Sequence, residues 1–522
     1  MTTSIPMSLA LAALLSAAEP APAPAPTKAT TATTAPKAAT TEAVSFRQQK
    51  PATAPRKATP LPKPQTWRDD TSGLEVALIE AHDLPTVSVS LVFETGAVDD
   101  PAQKPGLTSL AMALMSQGTV ALDKIAFEER QADIASSVSI GAGLETTSAG
   151  ASTLKKNLEP TLELLLGMLR TPGMRQDDLA RLVAQRKAAI AQSRGAPQSV
   201  GGRVMGSIQF PGHAYGAIET EATVDSITLD ELKATAARLG PHGARLTVTG
   251  DMTRAEVDQL IATRFAPWPG GLPVKRSPSS LPKPRPGTVF FVDVPGAPQS
   301  LIAVMASGPA RTAADYETTE LMAQILGGSF SSRINMNLRE KNGYAYGARA
   351  GYRYRRQAGS FAATSSVRTD ATGKALRELH NELMAMRNTV PETTELERDR
   401  SSLVLSLPAQ FSTPRRLADA YGELAFFGLP KDWYDGRVAR LQQPTAAAIQ
   451  AQAQKLLPTT GYQVLVVGDA KVIRAEVEAI ATEGLFGPKS FVVLDVDGNV
   501  VPGGARQPAV TSPPALRATP SP

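Results

Sequence analysis

No cysteine occurs in the 522-residue chain. That excludes disulfides, thiolate nucleophiles, iron–sulfur clusters, Cys-based zinc sites and a lipid-bearing cysteine. Histidine is scarce as well. His82, His213, His242 and His380 are scattered, with no pair at i, i+4 to share a helical face. No run of about 18 apolar residues exists, so no segment reads as a transmembrane helix. The body of the chain also lacks an excess of positive charge. The net charge is +5. Lys28, Lys37, Arg47, Lys50, Arg56, Lys57 and Lys63, set against Glu19 and Glu42, account for all of it. The remainder is neutral, which excludes a domain-wide basic field for nucleic acid.

The start of the chain is low in complexity. Met7 to Ala18 (MSLALAALLSAA) has the length and composition of a signal-peptide core, with Ser16-Ala17-Ala18 as a small-residue cleavage site. Nothing basic precedes Lys28. Residues 1–18 therefore read as an export segment lacking the usual positive n-region, and the periplasm or secretion is the expected destination, with the cytoplasm as the alternative. Residues 19–66 are rich in Ala, Pro, Thr and Lys. They cannot bury enough apolar surface to offset ordering, so they read as a disordered tether.

Strand and helix periodicities begin near Trp67. LEVALIEA and TVSVSLVFETGA read as strands, 106–117 and 121–136 as helices, and VSIGAGLETTSAGAST (138–153) as a Gly-rich strand pair. Helices follow at 158–172 and 177–194. Thr228 and Glu231 form a capping box before another helix, and a strand ends at Gly250-Asp251. The Pro-rich stretch 268–287 divides the chain. The second part repeats the first: strand, turn, strand over 288–308, a helix over 316–328, a strand face of Tyr346, Ala348, Ala350, Tyr352 and Tyr354, then helices and a strand closing at Gly468-Asp469. The tetrapeptide Arg-Ala-Glu-Val follows both Gly-Asp turns, at 254–257 and 474–477. The expected fold is therefore α+β. Two homologous domains, 67–267 and 288–487, each carry a mostly antiparallel sheet covered by helices, and 488–522 reads as a frayed tail.

The helix in Gly106–Thr119 (GLTSLAMALMSQGT) organises this reading. Its residues 109 and 113 share one face. Two histidines there, with a glutamate at 112, would make a zinc site with its own general base. The residues present are Ser109, Met112 and Ala113. Together with FPGHAYG, the two Gly-Asp endings and LGGSFSSRINMNLREKNGYAYG, this helix resembles the pitrilysin/insulinase family of zinc metallopeptidases over roughly residues 67–487.

That resemblance implies homologous domains enclosing a peptide substrate. Gly106, Leu107, Gly118 and Thr119 match the family's metal helix, whereas its ligand and base positions fall on Ser109, Met112 and Ala113. The register puts the third ligand near Ala188 or Ala189, in a stretch without Asp or Glu. Ser, Met and Ala cannot replace imidazole and carboxylate around zinc, so no metal is expected here. Arg339 and Tyr346 match the Arg/Tyr pair that, in the family, binds substrate backbone and steadies the oxyanion. The resemblance thus implies a non-catalytic subunit that lends Arg339 and Tyr346 to a homologous, zinc-carrying partner acting on peptide or unfolded polypeptide. Gly141 and Gly143 mark a strand that would take such a peptide by edge addition. A scaffold subunit like the core proteins of respiratory complexes, or a stand-alone peptide-binding module, are the alternatives.

Overall fold

The computed structural model describes residues 63–268, 271, 281–283 and 285–506. The export segment, nearly all of the tether and most of the linker lie outside the described residues. The first half runs β1 (Gln65–Arg68), β2 (Glu75–Glu80), β3 (Thr86–Phe93), α1 (Leu107–Met115), α2 (Lys124–Asp133), β4 (Ser137–Ala142) and β5 (Thr147–Leu154). It continues through α3 (Leu158–Arg170), α4 (Gln176–Ser193), α5 (Pro197–Gln209), α6 (Glu221–Asp225), α7 (Leu229–Ala236), β6 (Arg245–Gly250) and α8 (Arg254–Leu260). The second half runs β7 (Thr288–Asp293), β8 (Gln299–Gly308), α9 (Tyr316–Ala323), α10 (Arg333–Asn335), β9 (Ala345–Tyr354) and β10 (Gly359–Arg368). Then come α11 (Thr372–Asn388), α12 (Thr393–Ser406), α13 (Pro414–Phe427), α14 (Arg437–Gln442), α15 (Ala446–Leu456), β11 (Gln463–Gly468), α16 (Ala470–Glu483), β12 (Ser490–Leu494) and β13 (Val500–Arg506).

The duplication is visible in strand order. One sheet is ordered β1-β2-β6-β3-β5-β4 and the other β13-β12-β7-β11-β8-β10-β9. Set aside the outer β1, β12 and β13, and β2-β6-β3-β5-β4 maps onto β7-β11-β8-β10-β9. In both, the first two strands are parallel and the rest antiparallel. Alternation explains how each sheet is buried. Along β3, Val87, Val89, Leu91 and Phe93 enter the core shared with α1 and α3, while the residues between them face the other way.

That other face is covered by the opposite half. Val200, Val204 and Ile208 of α5 pack on Phe290, Val292, Leu301, Ala303, Met305 and Leu465 of the second sheet. Reciprocally, α13 packs on β6 and β3, and its Leu417, Ala420, Tyr421 and Leu424 cluster with Ile79 of β2. Periodicity reading passes over both helices. In α5 the reason is local, since PQSVGGRVMGSIQ carries three glycines and has poor helix propensity. Gly201 shows why one is needed: a Cβ there would lie 1.8 Å from Leu301 Cδ2.

Two boundaries are corrected. The fold begins before Trp67, because β1 already pairs with β2 from Gln65. The expected tail at 488–522 is structured to Arg506, with β12 lying parallel to β7. Its turn carries Asp497, which bonds Arg194 (2.8 Å) and Arg203 (2.7 Å) of the first half. The apolar run FVVL in SFVVLDVDGNVV was masked by the Gly and Pro residues that follow it.

Each apolar residue of this reciprocal cover contributes about 1.5–3 kcal/mol on burial. Leu424→Ala is expected to cost about 2–5 kcal/mol in denaturant titration. Because α13 belongs to the second half and packs on the first sheet, the two halves should melt in one transition. A first-half transition left unshifted in this variant would show the halves to be independent.

Candidate functional site

Helix α1 (Leu107–Met115) is bracketed by two glycines, Gly106 at its N-cap and Gly118 in the turn beyond its end. Gly106 and Gly118 have φ of 97° and 112°, a left-handed backbone that a Cβ disfavours. At Gly118 a Cβ would fall 2.4 Å from Leu122 O. Asp100 anchors the start, accepting from the amides of Gly106 and Thr108 at 2.9 Å each. The frame that matched a metal helix is therefore a folding requirement in its own right.

The positions inside that frame face α4. Met112 is 1% exposed and belongs to the core. Ala113 offers only its carbonyl, which accepts from Ser116 and Gln117. Ser109 Oγ accepts a 2.7 Å hydrogen bond from Arg186 Nη2. Arg186 Nη1 lies 3.2 Å from Glu219 Oε1 and 3.4 Å from Gly106 O. Burial holds the Glu219 carboxyl above its ordinary range, opposed by Arg186. One turn away, Arg181 donates to Gln117 Oε1 at 2.7 Å. Two guanidinium groups thus tie α4 to α1.

The expected third position, Ala188, is exposed, as is Ala189. The residues of α4 turned inward are Leu179, Leu182, Val183, Arg186 and Ile190. The signal for Arg186 was in that i, i+3, i+4, i+7 stripe.

In the second half, Arg339 and Tyr346 come together. Arg339 lies in a π-helical turn, Met336–Lys341, in which the Asn342 amide reaches back to Asn337 O at 3.1 Å. The buried Asn337 side chain fixes the turn by donating to Glu378 and Glu382 at 2.8 and 2.7 Å. Arg339 Cζ sits 4.9 Å from the Tyr346 ring centroid and 4.7 Å from that of Phe330. Tyr346 is 86% and Phe330 61% exposed. Arg339 Nε also meets Glu340 at 3.1 Å. Sequence reasoning missed Phe330, which completes a guanidinium flanked by two solvent-facing rings. These groups belong to the second half and Ser109 to the first.

Gly141 and Gly143 lie at the outer edge of the first sheet, in β4 and the turn after it. Space beside Gly141 is open. However, the Gly143 amide donates inward to Thr146 O at 2.7 Å, and its carbonyl accepts from Ala97 N at 3.0 Å. By alternation, the outward backbone groups of β4 belong to Val138, Ile140 and Ala142. Gln131 Oε1 accepts from Val138 N at 2.6 Å, leaving Ile140 and Ala142 for an added strand. The equivalent edge, β9, is closed. Asn335 Oδ1 accepts from Ala348 N at 3.1 Å, and Gly327 abuts the Ala350 amide.

The halves meet at FPGHAYG. Phe210 and Tyr215 cluster with Ala358, and Tyr215 Oη donates to buried Glu145 at 2.7 Å. The Arg356 amide donates to the same carboxylate at 3.1 Å.

The family signature described as Insulinase (Peptidase family M16) matches residues 75–205, and that described as Peptidase M16 inactive domain matches 226–403. The chain belongs to the insulinase (M16) family. It is 23% identical over 280 residues to the Non-peptidase homolog YmxG of Helicobacter pylori (strain ATCC 700392 / 26695). That match covers 51% of this chain and 62% of the relative. A solved peptidase M16 inactive domain from Pseudomonas fluorescens superposes with a TM-score of 0.72 at 22% identity, covering 78% of this chain and 98% of that one. A protease from Helicobacter pylori gives 0.68 at 16%, covering 78% and 100%. The periplasmic protease PqqL from Escherichia coli gives 0.66 at 16%, covering 79% and 46%. These structural likenesses are of fold.

A zinc ion does not fit the residues of this insulinase-family chain. Ser, Met and Ala supply no set of N/O donors, and a guanidinium already stands against Ser109. Among the described residues no group of three His, Asp or Glu side chains is placed to hold a metal. Restoring donors as S109H, M112E and A113H together should therefore give no stoichiometric zinc by metal analysis while Arg186 remains. Tight binding in that triple variant would show that Arg186 does not compete. Arg186→Ala alone is expected to cost about 1–3 kcal/mol by stranding Glu219, measured by denaturant titration.

Proposed function

We propose that this chain is a non-catalytic, substrate-binding subunit of a zinc endopeptidase assembly. A homologous partner carries the metal, and Arg339 and Tyr346 complete the partner's site. The carrying observation is the contrast between the two halves. The metal-helix positions have been rebuilt around Arg186, while the Arg339–Tyr346 pair is assembled and solvent-facing. The guanidinium is always charged and forked, and a phenol can donate to developing oxyanion charge. In this reading extended peptide adds to the open edge of β4, through Ile140 and Ala142.

That open edge also favours a second reading, a peptide-binding module that works without a partner. Export to the periplasm accompanies both readings. It is supported by the composition of Met7–Ala18 and by the periplasmic setting of PqqL. Among the described residues no helix is long and apolar enough to cross a membrane.

Purified alone, the chain should leave unfolded polypeptide uncleaved. Mixed with a homologous zinc-carrying subunit from the same organism, it should support cleavage. Arg339→Ala should lower the mixture's rate by about 10²–10³-fold without changing stability. Full activity of the mixture with that variant would remove the role given to Arg339. Cleavage by the chain alone would overturn the non-catalytic assignment.

A further inference from the structure

Strand β9 carries a second feature on the face opposite its buried Ala348 and Ala350. Arg349 and Arg353 project there, both exposed, and Arg355 continues the alternation just beyond the strand's end. None of the three makes an ion pair among the described residues. Their neighbours across the ladder are small or polar: Thr364 opposite Arg349, Ala362 opposite Gly351, and Ser360 opposite Arg353. This is the sheet face that α5 covers farther in, and α5's Gln198 bonds Ser366 at 2.5 Å on the same strand as those neighbours. Arg349 and Arg353 therefore stand on a shallow, uncharged floor beside the helix.

Arg355 adds an independent sign. It is 9% exposed, lies 4.6 Å over the Phe210 ring and donates to Ser360 Oγ at 3.1 Å, yet its buried Nε has no partner. Glu145, within its electrostatic reach, is already bonded by Tyr215 and the Arg356 amide. Arg355 thus extends the row as a buried guanidinium whose electrostatic partner, Glu145, is shared with two other donors.

From this row we infer that the peptide bound by this chain is acidic, an extended polypeptide segment with carboxylates about four residues apart that meet Arg349 and Arg353. Four residues of strand span about 13 Å, so an extended ligand running alongside β9 presents like-facing side chains at the same interval. The backbone edge of β9 is closed by Asn335 and Gly327, so recognition here is through side chains rather than strand addition. Forked guanidinium groups suit carboxylates. The inference rests on the peptide-binding reading above and names its substrate class.

The test uses the full chain and fluorescein-labelled unstructured peptides of about twelve residues, identical except that two positions four apart are Glu, Gln or Lys. Fluorescence anisotropy should give at least tenfold tighter binding of the Glu peptide than of the Gln peptide at low ionic strength. That gap should narrow as salt screens exposed charges. In R349Q/R353Q the gap should close while Gln-peptide affinity is kept. Both residues are exposed, and circular dichroism checks the fold. Equal binding of Glu and Gln peptides, or a preference that survives in R349Q/R353Q, overturns this inference and leaves the peptide-binding reading standing. Binding of none of the peptides overturns both.

Discussion

The structure depends on a reciprocal cover. Each half builds a sheet with two covered faces but supplies helices for only one of them. The other is closed by α5 or α13, lent from the opposite half. Hydrophobic burial is proportional to area and indifferent to chain connectivity, so the exchange makes one cooperative unit of two homologous domains. The two helices follow the same strand–strand–helix–helix series in each half, so the exchange is a product of the duplication rather than an addition to it. The seam is then sharpened by polar groups: the Arg356 amide on Glu145, and Asp497 between Arg194 and Arg203.

This cover frees the remaining surfaces for function. At the metal-helix positions of α1, Met112 is packed into the apolar core and Ser109 is bonded to Arg186. Arg186 and Arg181 now hold α4 against α1. On the other side, the π-helical turn seats Arg339 against β9 at the cost of an irregular backbone, which buried Asn337 and the two glutamates stabilise. The two outer edges, equivalent by descent, have diverged. β4 keeps two residues able to pair outward, whereas β9 is blocked by Asn335 and Gly327.

Much of this was legible in the sequence where a residue type is forced by geometry. Gly106 and Gly118 were read from the family's motif frame, and both have a left-handed φ; of the paired Gly-Asp endings, Gly250 shares that φ, whereas at Gly468 a Cβ would lie 2.5 Å from Ser300 Oγ. Arg339 and Tyr346 were singled out by resemblance to the family motif, and the structure brings the two side chains together. What escaped was set by tertiary context. One glycine of α5, Gly201, is set by its close approach to Leu301, and no local rule reports a neighbour a hundred residues away. Arg186 was overlooked in favour of Ala188 because the register was counted from a motif rather than from the apolar stripe of α4. Gly141 and Gly143 lie on and just past the outer strand, but their backbone groups turn inward, since which amides point outward depends on pairing with β5.

The bond between Arg186 and Ser109 has a consequence for descent. A histidine regained at 109 would meet a fixed positive charge before it met a metal, and would displace the hydrogen bond that holds the two helices. Each single step back toward a donor set is therefore unfavourable until the guanidinium is gone, and losing the guanidinium first strands Glu219. The electrostatics of one side chain thus keep position 109 closed to a metal-binding imidazole.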